Sequence, residues 1–223
     1  MVGHTFLYHG AVRKVGELIR KGELGDLLYL DSVRANLGIL QDDVYLIWDL
    51  APHDVSIMDF LLERCPEFVS ATGACHTGRG FEDIAYITFY FQNSLIAHVS
   101  LNWLSPVKIR TMIIGGNRRM AVFDDTQLRE KVRLYDCGLE REDSPAKRHQ
   151  DLIRACSGGP SAVQLDLTEA LQVEARDFVD SIRCARRPQA DGESGLRVVR
   201  LLELACRSLE RSGAVVAVPA GLC

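Results

Sequence analysis

A carboxylate and an imidazole stand one helical turn apart in the sequence WDLAPHD. Asp49 and His53 are four positions apart, and on a helix that spacing places both side chains on one face, within reach of a common ligand. The histidine side chain ordinarily titrates near pH 6.5, at about the pH where a general base is needed, so it can accept a proton near neutrality. The pair therefore suits general acid–base chemistry. The competing interpretation is structural: Asp49 caps a helix, and His53 is hydrogen-bonded at a domain surface.

Two polar residues on the preceding β-prone segment are candidates for substrate contact. Arg34 and Asn36 occupy alternate positions there, so their side chains lie on the same face of a strand. The guanidinium of Arg34 matches a carboxylate or phosphate, which makes it our candidate for binding an anionic group of the ligand. A surface salt bridge is the other interpretation of Arg34.

Aromatic and basic residues elsewhere are candidates for the same site. Trp103 and Lys108, in the sequence NWLSPVK, lie near the end of a predicted strand, where they would supply an aromatic wall and a cation. Tyr45 and Trp48 precede the acid and are predicted to shape the binding pocket. For Trp103 the alternative is a place in the core or in a subunit interface, and for Lys108 it is a solvated charge.

Other chemistries have weaker support. A metal site made of Asp49, His53 and His76 lacks any established ligand spacing. The segment 73–80, GACHTGRG, looks like a phosphate-binding loop, but it lies between predicted strands and does not open a helix, whose backbone N–H groups such a loop needs. Asp54 points about 100° away from His53 on a helix, so we assign it a structural role.

The candidate residues are positioned by elements in the first part of the chain. Val2–Tyr8 is β-prone, and apolar spacing predicts a helix over Ala11–Lys21. Leu27–Leu37 has the pattern of a half-buried strand. Asp49 is predicted to be the N-cap of the next helix, which places Pro52 in the first turn, where a missing N–H costs nothing.

From Phe68 onward the pattern is typical of strands joined by short turns. Six such runs follow one another, which predicts antiparallel neighbours in one large sheet. They are FVSATGACH, DIAYITFYF, SLIAHVSLNWL, VKIRTMIIGG, RMAVFDD and KVRLYD. Residues 140–159 are predicted to form a loop. Two helices, Leu167–Ala185 and Gly195–Arg211, and a last strand, Ala214–Val218, complete the chain.

Helices that bracket a run of strands predict an α+β fold, with a large open, mainly antiparallel sheet and helices on one face. The other face carries mixed aromatic and polar residues, so we expect it to pair with a second copy in a homodimer or tetramer. The alternative is a sheet whose second face is open to solvent. At 223 residues, the chain is predicted to form one domain, residues 1–223.

Composition and charge limit the classes of partner. The formal net charge is −4, which gives no reason to expect nucleic acid or an anionic membrane as partner. No run approaches the roughly 20 apolar residues of a membrane span, and the amino terminus lacks the pattern of a secretory signal. We therefore expect a cytoplasmic protein. The seven cysteines are odd in number and scattered, which predicts reduced thiols.

Taken in order, four segments of the chain resemble the carboxy-terminal domain of the Gfo/Idh/MocA family of oxidoreductases. They are HTFLYHGAVRKVGELIRKGELGDLLYLDSVRANLG, WDLAPHDVSIMDFLL, IAHVSLNWLSPVKIRTMIIGGNRRMAVFDD and DGESGLRVVRLLELACRSLERSG. The resemblance extends from about Gly3 to Val218. The sequences WDLAPHD and NWLSPVK are most similar to those of the nucleotide-sugar 3-dehydrogenases of that family.

The resemblance implies a dihydrodipicolinate reductase-like C-terminal domain that binds substrate and dimerises. It implies that His53 accepts the proton of a sugar or nucleotide-sugar hydroxyl while a hydride leaves carbon, and that Asp49 binds that hydroxyl or tunes the base. NAD or NADP is the implied cofactor. The family's amino-terminal Rossmann domain, with its Gly-rich turn and Glu-Lys-Pro motif, is absent here, so we expect the chain alone to be inactive. The alternative is a non-catalytic module kept for its dimerising sheet.

Overall fold

The computed structural model describes residues 1–37, 45–78, 80–139, 153–154 and 159–221. The helices in these ranges are α1 (Gly10–Arg20), α2 (Leu46–Leu62), α3 (Ala170–Arg183) and α4 (Gly192–Leu209). The strands are β1 (Leu27–Leu37), β2 (Phe68–Ala74), β3 (Ile84–Tyr90), β4 (Ile96–Asn102), β5 (Leu104–Gly116), β6 (Met120–Asp124), β7 (Val132–Tyr135), β8 (Gly138–Leu139), β9 (Ile153–Arg154), β10 (Ser161–Ala162) and β11 (Val216–Ala217). The predicted loop over residues 140–159 lies largely outside the described residues.

Nine strands form one open sheet in the order β10-β7-β6-β5-β1-β4-β3-β2-β11. Its pairs are antiparallel except β1 with β4, which is parallel. This confirms the predicted α+β fold with a mainly antiparallel sheet. One predicted neighbour pair is wrong: β4 and β5 follow each other in sequence, but β1 lies between them. The chain crosses the end of β1 at Trp103, between Asn102 and Leu104.

Three helices cover one face of the sheet and enclose the core. The core side of the strands carries buried residues at alternate positions, as in β3, where Ala85, Ile87 and Phe89 are buried. Buried side chains of α1, α2 and α4 pack on these in one continuous cluster. The opposite sheet face is partly exposed, for example at Tyr86 and Ile96.

The first segment is a 3₁₀ turn, Thr5–Tyr8, so the prediction of a strand there is wrong. Side-chain contacts to α3 hold the turn: the Thr5 hydroxyl donates to Glu174 at 2.7 Å, and the Tyr8 hydroxyl donates to Asp177 at 2.8 Å. The backbone N–H of Ala190 in turn donates to the Tyr8 oxygen at 3.1 Å. These partners lie far along the chain, so local β propensity does not decide the conformation.

Helix α2 begins four residues earlier than the sequence predicts, at Leu46 instead of Leu50. Its N-cap is Tyr45, with no side-chain capping bond, and Asp49 lies in the first turn with its N–H donating to the carbonyl of Tyr45 at 3.0 Å. The prediction of Asp49 as N-cap is therefore wrong, and Pro52 lies inside the helix. Because proline has no N–H, it cannot donate to the carbonyl of Trp48, one turn earlier.

The cysteines do not all remain thiols. Cys65 and Cys137 are disulfide-bonded, which corrects the prediction of reduced cysteines for these two, because spacing in the sequence does not reveal which sulfurs meet in space. Cys75, Cys184 and Cys206 are free. Within the described ranges, the helices are all too short or too polar to traverse a lipid bilayer.

Candidate functional site

The carboxylate of Asp49 is exposed at the first turn of α2 and is held in place from the sheet. The indole N–H of Trp103 donates to its Oδ2 at 3.2 Å. Trp103 is itself buried, with 6% of its surface exposed. It therefore contributes an oriented donor rather than an exposed aromatic wall. In the part of the chain that the structure describes, no other side chain hydrogen-bonds to this carboxylate, so Oδ1 is available to a ligand.

Trp103 reaches the acid because of the strand crossing. Asn102 pairs with Ala35, and Leu104 pairs with Leu37, so the single residue between β4 and β5 spans the carboxyl end of β1. That position points the indole at the beginning of α2. The site therefore lies where two strands separate around a third.

His53 lies one turn further along α2 and is half-buried. Its ring meets Phe6 of the amino-terminal 3₁₀ turn edge to face, with centroids 5.4 Å apart. Burial lowers the pKa of His53 below its usual value, and the nearby positive charge of Arg34 lowers it further, while Asp54 opposes the shift. The imidazole is thus held neutral, as a proton acceptor must be. No hydrogen bond from another described residue engages its ring.

Arg34 lies beneath the histidine in a buried ion pair. Its Nε and Nη2 donate to the two carboxylate oxygens of Asp54, the second at 3.2 Å, and Ser32 donates to the same carboxylate at 2.8 Å. The guanidinium carbon also lies 5.0 Å from the ring centroid of Phe6. Arg34 is 5% exposed, so its salt bridge is internal and not at the surface. Its contact with a ligand anion stays a prediction; the structural role of Asp54 is confirmed.

Two other residues that are predicted to contact a ligand lie near the carboxyl end of β1. Asn36 is half-buried at the end of β1, where the pairing with β5 shifts register between Ala35 and Leu37. Lys108 is exposed on β5, and it forms no ion pair with the residues that the structure describes. The sequence also predicts a polar connection through Gln41 and Asp43 between β1 and α2, which lies outside the described residues.

The two aromatic residues at the start of α2 face different neighbours. Tyr45 is 48% exposed and packs on Phe81, in the connection between β2 and β3, with ring centroids 4.2 Å apart. Trp48 is partly exposed and lies beside the thiol of Cys206 on α4; burial raises the pKa of that thiol, and Trp48 opposes the shift. Tyr45 therefore contacts the β2–β3 connection, while Trp48 lies beside α4.

The alternative chemistries can be compared with the geometry. His76 pairs with Asp83, and Asp49 is bound by Trp103. Among the described residues, no group of three or more His, Cys, Asp or Glu side chains is placed to hold a metal. The glycine-containing segment 73–80 joins β2 to β3, antiparallel neighbours, and opens no helix. This segment therefore does not form a dinucleotide cradle, which needs a helix amino terminus at the pyrophosphate.

Several contributors to the site carry no recognisable signal in the sequence. Phe6 touches both His53 and Arg34, yet it stands in a segment with a strand pattern. Asp83 is buried and binds the backbone beside His76. Their roles depend on contacts between distant parts of the chain, which residue spacing does not encode.

The arrangement can bind a hydroxyl and remove its proton. A neutral imidazole and a carboxylate oxygen lie one helical turn apart, on one face of α2. Both are acceptors, so together they suit a ligand that presents hydrogen-bond donors.

The matching family model extends over residues 12–121 and describes the GFO/IDH/MocA C-terminal domain. These 110 residues are just under half of the chain, and the match marks a similarity to that family.

Solved structures of several oxidoreductases share the fold of this chain. A UDP-N-acetylglucosamine 3-dehydrogenase from Acidithiobacillus ferrooxidans superposes with a TM-score of 0.75 and 23% identity, over 94% of this chain and 61% of that one. An aldose-aldose oxidoreductase from Caulobacter crescentus, complexed with glycerol, gives 0.77 and 14%, over 98% and 63%. An inositol dehydrogenase homologue from Azotobacter vinelandii, complexed with NADH and myo-inositol, gives 0.74 and 16%, over 97% and 64%.

The shared fold accounts for only part of each of these proteins. The chain spans less than two thirds of their lengths. At these identities the similarity shows a shared fold. No curated protein matches the sequence directly.

Proposed function

We propose that this chain is the substrate-binding domain of an oxidoreductase that acts on a hydroxyl of a sugar or nucleotide sugar. The observation that carries the proposal is the neutral, accessible imidazole of His53 one turn from the oriented carboxylate of Asp49. Asp49 binds the reacting hydroxyl, and His53 takes its proton as the carbon is oxidised. Removal of that proton is the part of the reaction that this chain's residues perform.

The substrate class follows from the chemistry of the acceptors and from the related folds. A carboxylate and an unprotonated imidazole nitrogen both accept hydrogen bonds, and sugars offer many hydroxyl donors. Proteins of this fold include a UDP-N-acetylglucosamine 3-dehydrogenase and an inositol dehydrogenase homologue with myo-inositol bound. Within this class we favour a nucleotide sugar, because the sequences of the WDLAPHD and NWLSPVK segments resemble those of nucleotide-sugar 3-dehydrogenases.

The hydride acceptor in this proposal is NAD or NADP, bound by a nucleotide-binding domain outside these 223 residues. The β2–β3 connection does not form a cradle for it, because it opens no helix.

The second candidate function is a non-catalytic dimerisation module. The large exposed side chains on the sheet face away from the helices, such as Tyr86 and Ile96, favour it. Sequencing the DNA upstream of Met1 separates the two: an in-frame strand-turn-helix with a Gly-rich turn, followed by a Glu-Lys-Pro motif, supports the enzyme.

The decisive test uses the domain joined to its nucleotide-binding half. The variant His53→Ala is expected to lose at least about 100-fold in turnover, the order expected for a missing general base. The matched control is His98→Ala, which changes a histidine on the open sheet face and should retain turnover. Near-normal turnover by His53→Ala would remove His53 from the mechanism.

A further inference from the structure

The connection between β2 and β3 holds one histidine in a fixed orientation. Nδ1 of His76 lies 2.7 Å from Oδ1 of Asp83. The two side chains differ sharply in accessibility, since His76 is 57% exposed and Asp83 is 1% exposed. Exposed side chains ordinarily sample several rotamers. Here the carboxylate fixes the inner edge of the ring and leaves Nε2 as the outer nitrogen.

The buried carboxylate determines which nitrogen carries the proton. Oδ2 of Asp83 accepts from the backbone N–H groups of His76 and Thr77 at 2.6 and 2.9 Å. Burial acts to raise the pKa of Asp83, but these hydrogen bonds and the His76 ring outweigh it and keep the pKa below its usual value. An ionised carboxylate can only accept, so Nδ1 of the neutral ring must donate and Nε2 must be the acceptor.

The same aspartate connects this loop to the candidate site. The carbonyl of Asp83 accepts from the backbone N–H of Trp103 at 3.0 Å, and the indole of Trp103 donates to Asp49. On the other side of the loop, Phe81 packs on Tyr45 at the start of α2. The loop that carries His76 is thus tied through Asp83 and Trp103 to the acid, and we call this loop the rim of the candidate site.

We propose that His76 is a substrate-binding residue at this rim, whose Nε2 accepts a hydrogen bond from a hydroxyl or amide N–H of the sugar. Asp83 is its positioning residue. The inference rests on the proposed function and deepens it, because it adds a third acceptor to those of Asp49 and His53. Three acceptors around one opening select a ligand with several donors at different ring positions.

The tautomer of His76 tests the first step on the chain without ligand. Nitrogen NMR of the labelled protein at neutral pH should show a protonated Nδ1 and an unprotonated Nε2 for the neutral ring. In Asp83→Ala that preference should disappear; a chemical-shift map limited to the β2–β3 connection confirms that the variant remains folded. A protonated Nε2 in the unmodified chain contradicts the inference.

Titration with UDP-N-acetylglucosamine tests the contact itself. The ring signals of His76 and His53 and the indole signal of Trp103 should shift together. His76→Phe should weaken binding by about threefold to tenfold, as expected for one lost hydrogen bond. His76→Gln, which keeps an acceptor, should recover part of the loss. The matched control is His98→Phe, on the open sheet face, which should bind normally.

The possible results separate this inference from the proposed function. Shifts at His53 and Trp103 without a shift at His76 would overturn the inference and leave the proposed function intact. A shift at His76 alone would support its ligand contact and contradict the role given to His53. No shift at any of the three positions counts against both.

Discussion

At the scale of single residues, the site is a layered arrangement of charge. The accessible imidazole of His53 lies above the internal pair of Arg34 and Asp54, and Phe6 covers both the imidazole and the guanidinium. The positive charge beneath the ring disfavours a second positive charge on it, in addition to the effect of burial. A structural ion pair can thus keep a neighbouring base neutral without touching the substrate.

Loss of the buried pair should be costly. Asp54→Asn leaves the guanidinium of Arg34 without a counter-charge, which is expected to lower the free energy of unfolding by about 3 to 5 kcal/mol. Urea denaturation measures the change. The control is Asp31→Asn, which alters an exposed carboxylate on β1, on the face opposite to Arg34. This substitution should change the stability by less than about 0.5 kcal/mol. Equal effects of the two substitutions would contradict the structural role of the pair.

The lowered histidine pKa values predict how stability depends on pH. Burial, the largest cause in each case, lowers the pKa of His4, His9 and His53 below 6.5. The unfolded chain therefore binds protons at a higher pH than the folded chain, and the free energy of unfolding should fall as pH decreases through about 6.5. Denaturation curves between about pH 7.5 and pH 5.5 test this. His53→Gln should flatten the dependence, and an unchanged slope would contradict the sign for His53.

At the scale of elements, the first turn of α2 is positioned by its neighbours more than by its own caps. Tyr45 provides no side-chain cap, and Pro52 leaves a carbonyl in this region without its helical donor. Contacts to Phe81 and Trp103, from two different connections of the sheet, hold the turn instead. A turn held by its surroundings can keep Asp49 in place while its carboxylate remains accessible.

Helix α4 is joined to the sheet by one buried hydroxyl. Ser208 accepts from the backbone N–H of Ala71 on β2 at 2.8 Å and donates to the carbonyl of Ala214 at 2.6 Å. Ser208→Ala leaves both backbone groups without this partner and should lower the free energy of unfolding by about 1 to 3 kcal/mol. Ser105→Ala, which removes an exposed local hydrogen bond to Val107, is the matched control and should change it by less than about 0.5 kcal/mol.

At the scale of the whole molecule, helices cover one face of the sheet, and none of the helices and strands in the described part of the chain covers the other face. The uncovered face carries large side chains, including Tyr86 and Ile96, 44% and 39% exposed. Sheets of this kind bury such residues by packing face to face. We propose that this face forms the interface of a homodimer or tetramer.

Light scattering provides the test of that assembly. The chain should have at least twice its monomer mass at micromolar concentration, and Tyr86→Glu should shift it toward monomer, because a carboxylate would be buried without a partner. The control is Leu128→Glu, at a position 93% exposed between β6 and β7, which should leave the mass unchanged. A monomer at that concentration for the unmodified chain would count decisively against the sheet interface.

The sequence by itself determined the features that depend on local periodicity. Alternation along β3 and β4, short turns between strands and the apolar stripe of α2 predicted the antiparallel sheet, the helix layer and the placement of Asp49 and His53 on one helix face. Side-chain direction along a regular element follows from 3.6 residues per helical turn or 2 per strand repeat. Resemblance to the Gfo/Idh/MocA family added the proposed chemistry.

Only the tertiary structure decided the contacts that bring distant residues together. Arg34 and Asp54 are 20 positions apart, and Trp103 and Asp49 are 54 apart. The insertion of β1 between β4 and β5 creates the second contact. Contacts of Thr5 and Tyr8 with α3 hold their segment as a 3₁₀ turn where a strand was predicted. Partners of this kind are chosen by the packing of whole elements, whereas residue spacing describes only one element at a time.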